Sequence, residues 1–330
     1  MHILNLIIIL IIVLIIYFVY KICTKNDFYV PPVNNIKECR MDKKIIIVVA
    51  RYNESLSWTL DYPFNQFKYI IYNKNTNNED YEKKYVIESE TIKNQGKCDH
   101  TFLYHIVHNY YNLADITIFV PGCIDELYFK MQKTRLLLEY ILKYNRAFFI
   151  TDYCSSTSLY DDFYYFKVDD YRSMTKSNRE INENIGFKKS SIRPYGEWFK
   201  QNFNNNSKNI SLFGIFSIDK RDIEKIPRKK YFDLMKSLEC EECINDELSH
   251  YFEKSWEAIF YPLKHTIIID YSNTIVYLII KSYNYYNTKK RGDIDLDLSS
   301  TPVSAPIAWN LIYFLNYNST YQLSPLNNNN

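Results

Sequence analysis

The sequence predicts an α/β domain built on a mixed, mostly parallel sheet with flanking helices, preceded by one N-terminal transmembrane helix. Three observations predict it. Residues 45–49 are consecutive β-branched aliphatics, the mark of a strand buried on both faces inside a parallel sheet. Strand-like and helix-like stretches then alternate as far as residue 150, as βαβ units do. Finally, Ile3 to Tyr20 is apolar except for Asn5 and carries no charge, and about 18–20 such residues suffice to cross a bilayer core.

The elements follow in order. After the apolar segment, a stalk containing Pro31-Pro32 leads to the strand at 45–50, which stops at Arg51-Tyr52-Asn53-Glu54. A short helix or turn from Ser55 carries Trp58, and Phe67 to Lys74 reads as the second strand. Gly96 breaks the chain before a helix over roughly 99–112, with Asp99 as its N-cap and Phe102, Ile106 and Tyr110 at helical spacing. Ile116 to Val120 is a third strand ending at Pro121-Gly122. A helix over 125–144 and a strand over 147–150 come next. Residues 155–209 lose periodicity and read as an irregular excursion that includes Tyr195 to Trp198. A strand over 212–218, a helix after Pro227, a helix over 246–260 and strand-like residues 266–280 complete the pattern. The Asn-rich end reads as disordered. The domain boundaries implied are 1–22 for the anchor, 23–44 for the stalk, 45–265 for the α/β domain and 266–330 for the terminal strands and tail.

Composition narrows the function classes. A formal net charge of +2, with no basic block interleaved with aromatics, speaks against a nucleic-acid footprint. Tyr 32 and Phe 20 against Gly 6 is the usage expected of drift in an AT-rich gene rather than of a selected aromatic surface. The cysteine spacing is not that of a disulfide framework, and Cys240-x-x-Cys243 without a second pair is expected to be two ordinary thiols rather than a zinc site. The apolar start implies a single-pass membrane protein. Its sidedness stays open: Lys21, Lys25, Lys37 and Arg40 after the segment favour a cytoplasmic domain, whereas the sequons at Asn53, Asn205, Asn209 and Asn318 suit a lumenal one.

Five ordered blocks carry a resemblance: VVARYNESLSW (48–58), IYNK (71–74), GKCDHTFLYHIVHNYYNLADITIF (96–119), GIFSIDK (214–220) and HYFEKSWEAIF (250–260). Together they resemble the uncharacterised family called domain of unknown function 3431, from about Ile45 to Phe260. Two places depart from the family pattern. Pro121-Gly122 stands where Gln-Gly is usual, and Gly96-Lys97-Cys98-Asp99 where a Gly-Arg-Glu precedes the His-Thr. By fold analogy the resemblance implies a nucleotide-sugar-transferase-like layout, with a nucleotide-sugar donor, a glycan acceptor and Mn²⁺ or Mg²⁺ as the metal.

Within that layout the candidate residues take roles. Arg51, Asn53 and Glu54 lie just past a strand's carboxyl end, where open α/β sheets bind ligands. An Arg fork suits diphosphate, Asn a base or ribose edge, and Glu a ribose hydroxyl; alternatively the charged pair merely fixes the turn. Lys74 has the same strand-end position and suits phosphate. His100 and His105 share the 99–112 helix as acid/base or anion-binding candidates, and a zinc site there is not expected because the spacing is not HExxH. His250, Glu253 and Glu257 form one helical stripe, with Glu253 the candidate base for an acceptor hydroxyl and His250 beside it. Asp125 is the candidate metal ligand, although no Asp-x-Asp accompanies it. The competing reading is a non-catalytic, membrane-tethered module that binds a glycan or a protein through the same cleft.

Overall fold

The computed structural model describes residues 42–75, 80–169, 171, 175, 186–240 and 244–270. The apolar segment 3–20, most of the stalk and everything after Asp270 lie outside them. Among the described residues no helix is long and apolar enough to cross a membrane.

The centre is a sheet of β1 (Ile45–Arg51), β2 (Lys68–Asn73), β3 (Val86–Thr91), β4 (Ile116–Pro121) and the later, antiparallel β8 (Phe216–Asp219), in the order β3-β2-β1-β4-β8. The first four are mutually parallel, with Val48 opposite both Ile70 and Phe119. Every residue of β1 is buried, which is why its sequence is an unbroken aliphatic run rather than an alternation. β3 was not anticipated. It is the edge strand, exposed from Ile87 to Thr91, and its Glu88 and Glu90 give it no core face to read; such charges also discourage pairing with another chain.

Next in sequence come α1 (Lys97–His108), α2 (Tyr128–Tyr144), β5 (Phe148–Thr151), β6 (Tyr153–Cys154), α3 (Leu159–Phe163), α4 (Tyr195–Asn202), β7 (Asn209–Ile210), β8 (Phe216–Asp219), α5 (Lys220–Glu224), α6 (Arg228–Ser237), α7 (Glu247–Ile259) and β9 (Ile267–Asp270). β8 closes the main sheet antiparallel to β4. β5 and β9 pair in parallel, Phe148 opposite Ile267 and Thr151 opposite Asp270. Ser217 Oγ of β8 accepts from Phe148 N at 2.7 Å and donates to Phe148 O at 3.0 Å, carrying the sheet sideways to β5.

The expected strand over 212–218 starts late. Leu212–Gly214 is a 3-10 turn, and the paired strand begins only at Phe216. The expected irregular stretch contains α4, whose Tyr195, Trp198 and Phe199 are buried. It begins where Gly196 rides on Tyr164, with room for no Cβ. A short helix opened by proline and glycine carries too few turns to show a period.

α1 and α7 cover one face of the sheet. Phe102 packs tilted against Phe119 of β4 with ring centres 4.9 Å apart, and Trp256 likewise against Phe216 of β8 at 4.9 Å. Phe252, Trp256 and Ile259 of α7, and Phe260 just after it, are all buried. α7 is capped by Asp246, which accepts from Ser249 N at 2.7 Å. α1 starts earlier than expected. Gly96 is its N-cap, with φ 53, and Asp99 lies inside the first turn, where its carboxylate accepts the Trp256 indole at 2.9 Å instead of capping.

Candidate functional site

The turn after β1 is a framework. Arg51 is wholly buried: its Nε donates to Glu54 O at 2.7 Å, Nη1 to Asn73 Oδ1 at 2.9 Å and Nη2 to Asp80 O at 3.1 Å. Its guanidinium also lies 4.4 Å from the centre of the Tyr81 ring. The fork expected to grip a diphosphate therefore ties the β1 turn to the end of β2. Glu54 turns back on its own loop, accepting from Tyr52 N at 2.7 Å and Asn53 N at 3.1 Å. Burial pushes its carboxyl above the usual range, partly offset by those N–H groups. Asn53 Oδ1 accepts from Asn75, and Trp58 Nε1 donates to Gly122 O at 3.0 Å. These contacts match the alternative in which the charged pair fixes the turn.

The charge that can face a ligand lies one step further along the rim. Lys74, directly after β2, is 8% exposed and donates to Gln95 O at 2.6 Å and to Lys97 O; burial lowers it to about 8. It thereby clamps the loop that starts α1. Lys97 has a left-handed backbone, φ 46, unusual for a non-glycine residue. Its Nζ donates to His250 Nε2 at 3.1 Å and sits 4.0 Å over the Tyr171 ring. His250 is held neutral, first by burial and then by the neighbouring Lys97 and Lys254.

α2 contributes Lys130, whose Nζ donates to Cys123 Sγ at 3.4 Å, and Lys133, paired to Asp152 at 2.6 Å. Lys254 of α7 is fully buried, 3.8 Å over the Phe166 ring, and burial brings it down to about 7.

Glu253 is the hub of this cluster. Its carboxylate accepts from Phe213 N at 2.9 Å and acts electrostatically on Lys97, Cys98, Asp99, Lys130, Lys133 and Lys254. Asp99 is driven well above the carboxylate range by burial and then by Glu253. Asp152 is committed to Lys133, while Lys97 and Lys130 feel the Glu253 carboxylate directly. The arrangement suits an anionic ligand beside a carboxylate that can take a proton.

Of the candidates from sequence, Lys74, His250 and Glu253 come together here. His100 is adjacent: Lys74 helps lower it to about 4, after burial. Its Nε2 meets Gln95 Nε2 at 3.0 Å and Glu239 Oε1 at 3.5 Å, while its buried Nδ1 has no hydrogen-bond partner among the described residues. His105 belongs to the core instead. Its Nδ1 meets Tyr72 Oη at 3.1 Å, its ring packs on Phe119, and burial lowers it to about 3. A catalytic role there is not what its packing supports. Glu257 is a strut, accepting from Lys208 N and Asn209 N.

Asp125 is exposed on the 3-10 turn Gly122–Glu126. Among the described residues no group of three or more His, Cys, Asp or Glu assembles as metal ligands, so Asp125 gains no companions. Cys240 is disulfide-bonded, which corrects its reading as an ordinary thiol. Sequence reasoning missed Lys97, Lys130, Lys133 and Lys254. A usable signal existed: Lys130 and Lys133 fall on the same stripe as the buried Leu137 and Ile141, and a lysine on an apolar stripe calls for a reason.

The family model described as protein of unknown function (DUF3431) matches residues 46–271. The chain belongs to that family. The DUF3431 match spans β1 to β9 and so includes every residue of the Glu253 cluster. A comparison of the sequence with curated proteins gives no match. Among solved structures, one that it resembles is a mannosyltransferase from Pyrobaculum calidifontis in complex with GDP-Man and Mn²⁺. Identity is 10%, coverage is 91% of this chain and 76% of that chain, and the TM-score is 0.24. A likeness at that level supports no inference about activity.

Proposed function

We propose that this DUF3431 protein is a membrane-anchored glycosyltransferase-like enzyme that moves a sugar from a nucleotide donor to an acceptor hydroxyl. One observation carries the reading: a partly buried carboxylate, Glu253, lies among Lys97, Lys130, Lys133 and Lys254 at the ligand-binding edge of a mostly parallel sheet. In the step proposed, the acceptor O–H gives its proton to Glu253. The acceptor oxygen bonds to the anomeric carbon as the bond from that carbon to the phosphate oxygen breaks, and the nucleoside diphosphate leaves with the electron pair. Lys97 and Lys130 stabilise the charge that develops on it. Lys74 and His250 act as positioning residues, the first holding the start of α1 and the second holding Lys97. Asp125, if it takes Mn²⁺ or Mg²⁺, does so with ligands beyond the protein side chains described.

The test is calorimetry with nucleoside diphosphates and nucleotide sugars, with and without Mn²⁺, followed by turnover assays. The expected result is donor binding that Lys97→Met weakens, and turnover that Glu253→Gln abolishes while donor binding survives. Absence of binding by every common donor at millimolar concentration sinks the reading. Donor or glycan binding without turnover in the unmodified protein supports the non-catalytic module instead, a reading favoured by the structural use of Arg51 and Glu54.

A further inference from the structure

Phe213 has φ 69, a left-handed backbone that a bulky side chain adopts only under constraint. The constraint is visible. Leu212 N donates to Asp152 at 2.8 Å, Leu212 O accepts from Lys133 at 3.0 Å, and Ser211 Oγ accepts from Lys133 at 2.8 Å and donates to Ile215 O at 2.8 Å. Phe213 N itself is fixed on Glu253. A buried ion pair and a carboxylate thus determine one strained turn. Strain of that kind persists where the surroundings over-determine it, and it concentrates at ligand sites. What the turn presents is a half-buried aromatic ring. Phe213 lies 4.8 Å from the ring of Phe129, which is also half-buried, with exposed Tyr128 next in sequence and the Lys130 ammonium 5.8 Å from the Phe213 ring.

We infer that Phe213 and Phe129 form the acceptor subsite, a platform on which the apolar face of a saccharide ring lies with a hydroxyl towards Glu253. The inference rests on the transferase reading and names its acceptor class as a carbohydrate. Position decides for acceptor over donor. The platform adjoins the carboxylate that must receive the acceptor's proton, since Phe213 N is bonded to it, whereas Lys97, which the transferase reading gives to the diphosphate, is held at His250 and Tyr171. Apolar ring faces stack on aromatic side chains, and ring hydroxyls suit the charged surroundings.

The test is saturation-transfer NMR with the methyl glycosides of glucose, mannose, galactose and N-acetylglucosamine, alongside calorimetry with inorganic diphosphate. At least one glycoside is expected to bind. Phe213→Gly, which accepts the left-handed backbone without strain, is expected to weaken that glycoside about tenfold and leave diphosphate binding unchanged. Phe129→Leu is expected to act in the same direction and guards against a local change peculiar to the turn. Lys97→Met is expected to do the reverse. Diphosphate binding with no glycoside binding, or glycoside binding indifferent to both aromatic substitutions, overturns the subsite and leaves the transferase reading standing. Failure of diphosphate itself to bind removes the reading and the subsite together.

Discussion

Lys97 and His250 lie 153 positions apart in the chain, yet Lys97 Nζ stands 3.1 Å from His250 Nε2. The contact joins the first turn of α1 to the first turn of α7, and it aims an ammonium without neutralising it, since His250 is itself held neutral. A neutral acceptor is the partner that leaves a lysine's charge available to a ligand. His250→Ala is expected to weaken diphosphate binding about tenfold, an effect of ~1.4 kcal/mol, whereas His250→Gln, which keeps an acceptor, restores part of it. Calorimetry on both variants decides. Equal loss in the two would show that His250 does not act by aiming Lys97.

Gly122 is needed for the approach of Glu54. A Cβ there would stand 2.8 Å from Glu54 Cδ and 2.8 Å from its Oε2. The carboxylate has little freedom to retreat, because Tyr52 N and Asn53 N hold it. Gly122→Ala is expected to cost about 1–3 kcal/mol, as overpacking does. Urea unfolding measures it, and a change below 0.5 kcal/mol, an ordinary surface effect of about that size, would show that the turn relaxes.

Glu247 has no part in the proposed chemistry and a large one in the fold. Fully buried in α7, it accepts from Val168 N at 2.8 Å, Ser190 N at 2.9 Å, Arg193 Nε at 2.8 Å and Tyr251 Oη at 2.9 Å. It thereby pins two stretches of chain that precede α4, at Val168 and at Ser190 to Arg193. Removing one partner of a buried, hydrogen-bonded charge pair costs roughly 3–5 kcal/mol. Glu247→Ala is expected to unfold cooperatively at much lower denaturant, and Glu247→Gln to lose less.

The pH dependence of stability follows from His100, His105 and Lys254. In the folded protein the two imidazoles titrate at about 4 and about 3, against 6.5 for the free group. Between pH 6.5 and those values the unfolded chain binds the proton and the folded one does not, so stability falls as pH falls. Each histidine takes away roughly 2 kcal/mol between pH 6.5 and 5 at most. Lys254 titrates at about 7 rather than 10.5, so between those values stability rises with pH for the same reason. Lys254→Met is expected to raise the melting temperature at pH 6 and to do so less at pH 9.5. His105→Gln is expected to flatten the acid limb. A wild-type melting temperature constant from pH 4.5 to 9 would contradict both.

Individual residues show where sequence reasoning succeeded and where it stopped. The aliphatic run Ile45 to Val49 had one stable environment, the middle of a parallel sheet, and it occupies that place. β3 escaped notice because an edge strand with Glu88 and Glu90 has no core-facing period. Arg51 closes β1 and is wholly buried, because strand-end position does not reveal which way a guanidinium points. His105 was grouped with His100 because both lie on α1, yet five residues of helical twist turn one to the rim and the other to Tyr72 and Phe119.

The sequence alone determined the α/β class, the order of most elements and the family, because those depend on local apolar periodicity and on short blocks of residues. Tertiary structure decided which charges face one another. Lys97, Lys130, Lys133, Lys254 and Glu253 come from three helices, and the energy of a buried charge depends on what the fold brings near it rather than on its neighbours in the chain.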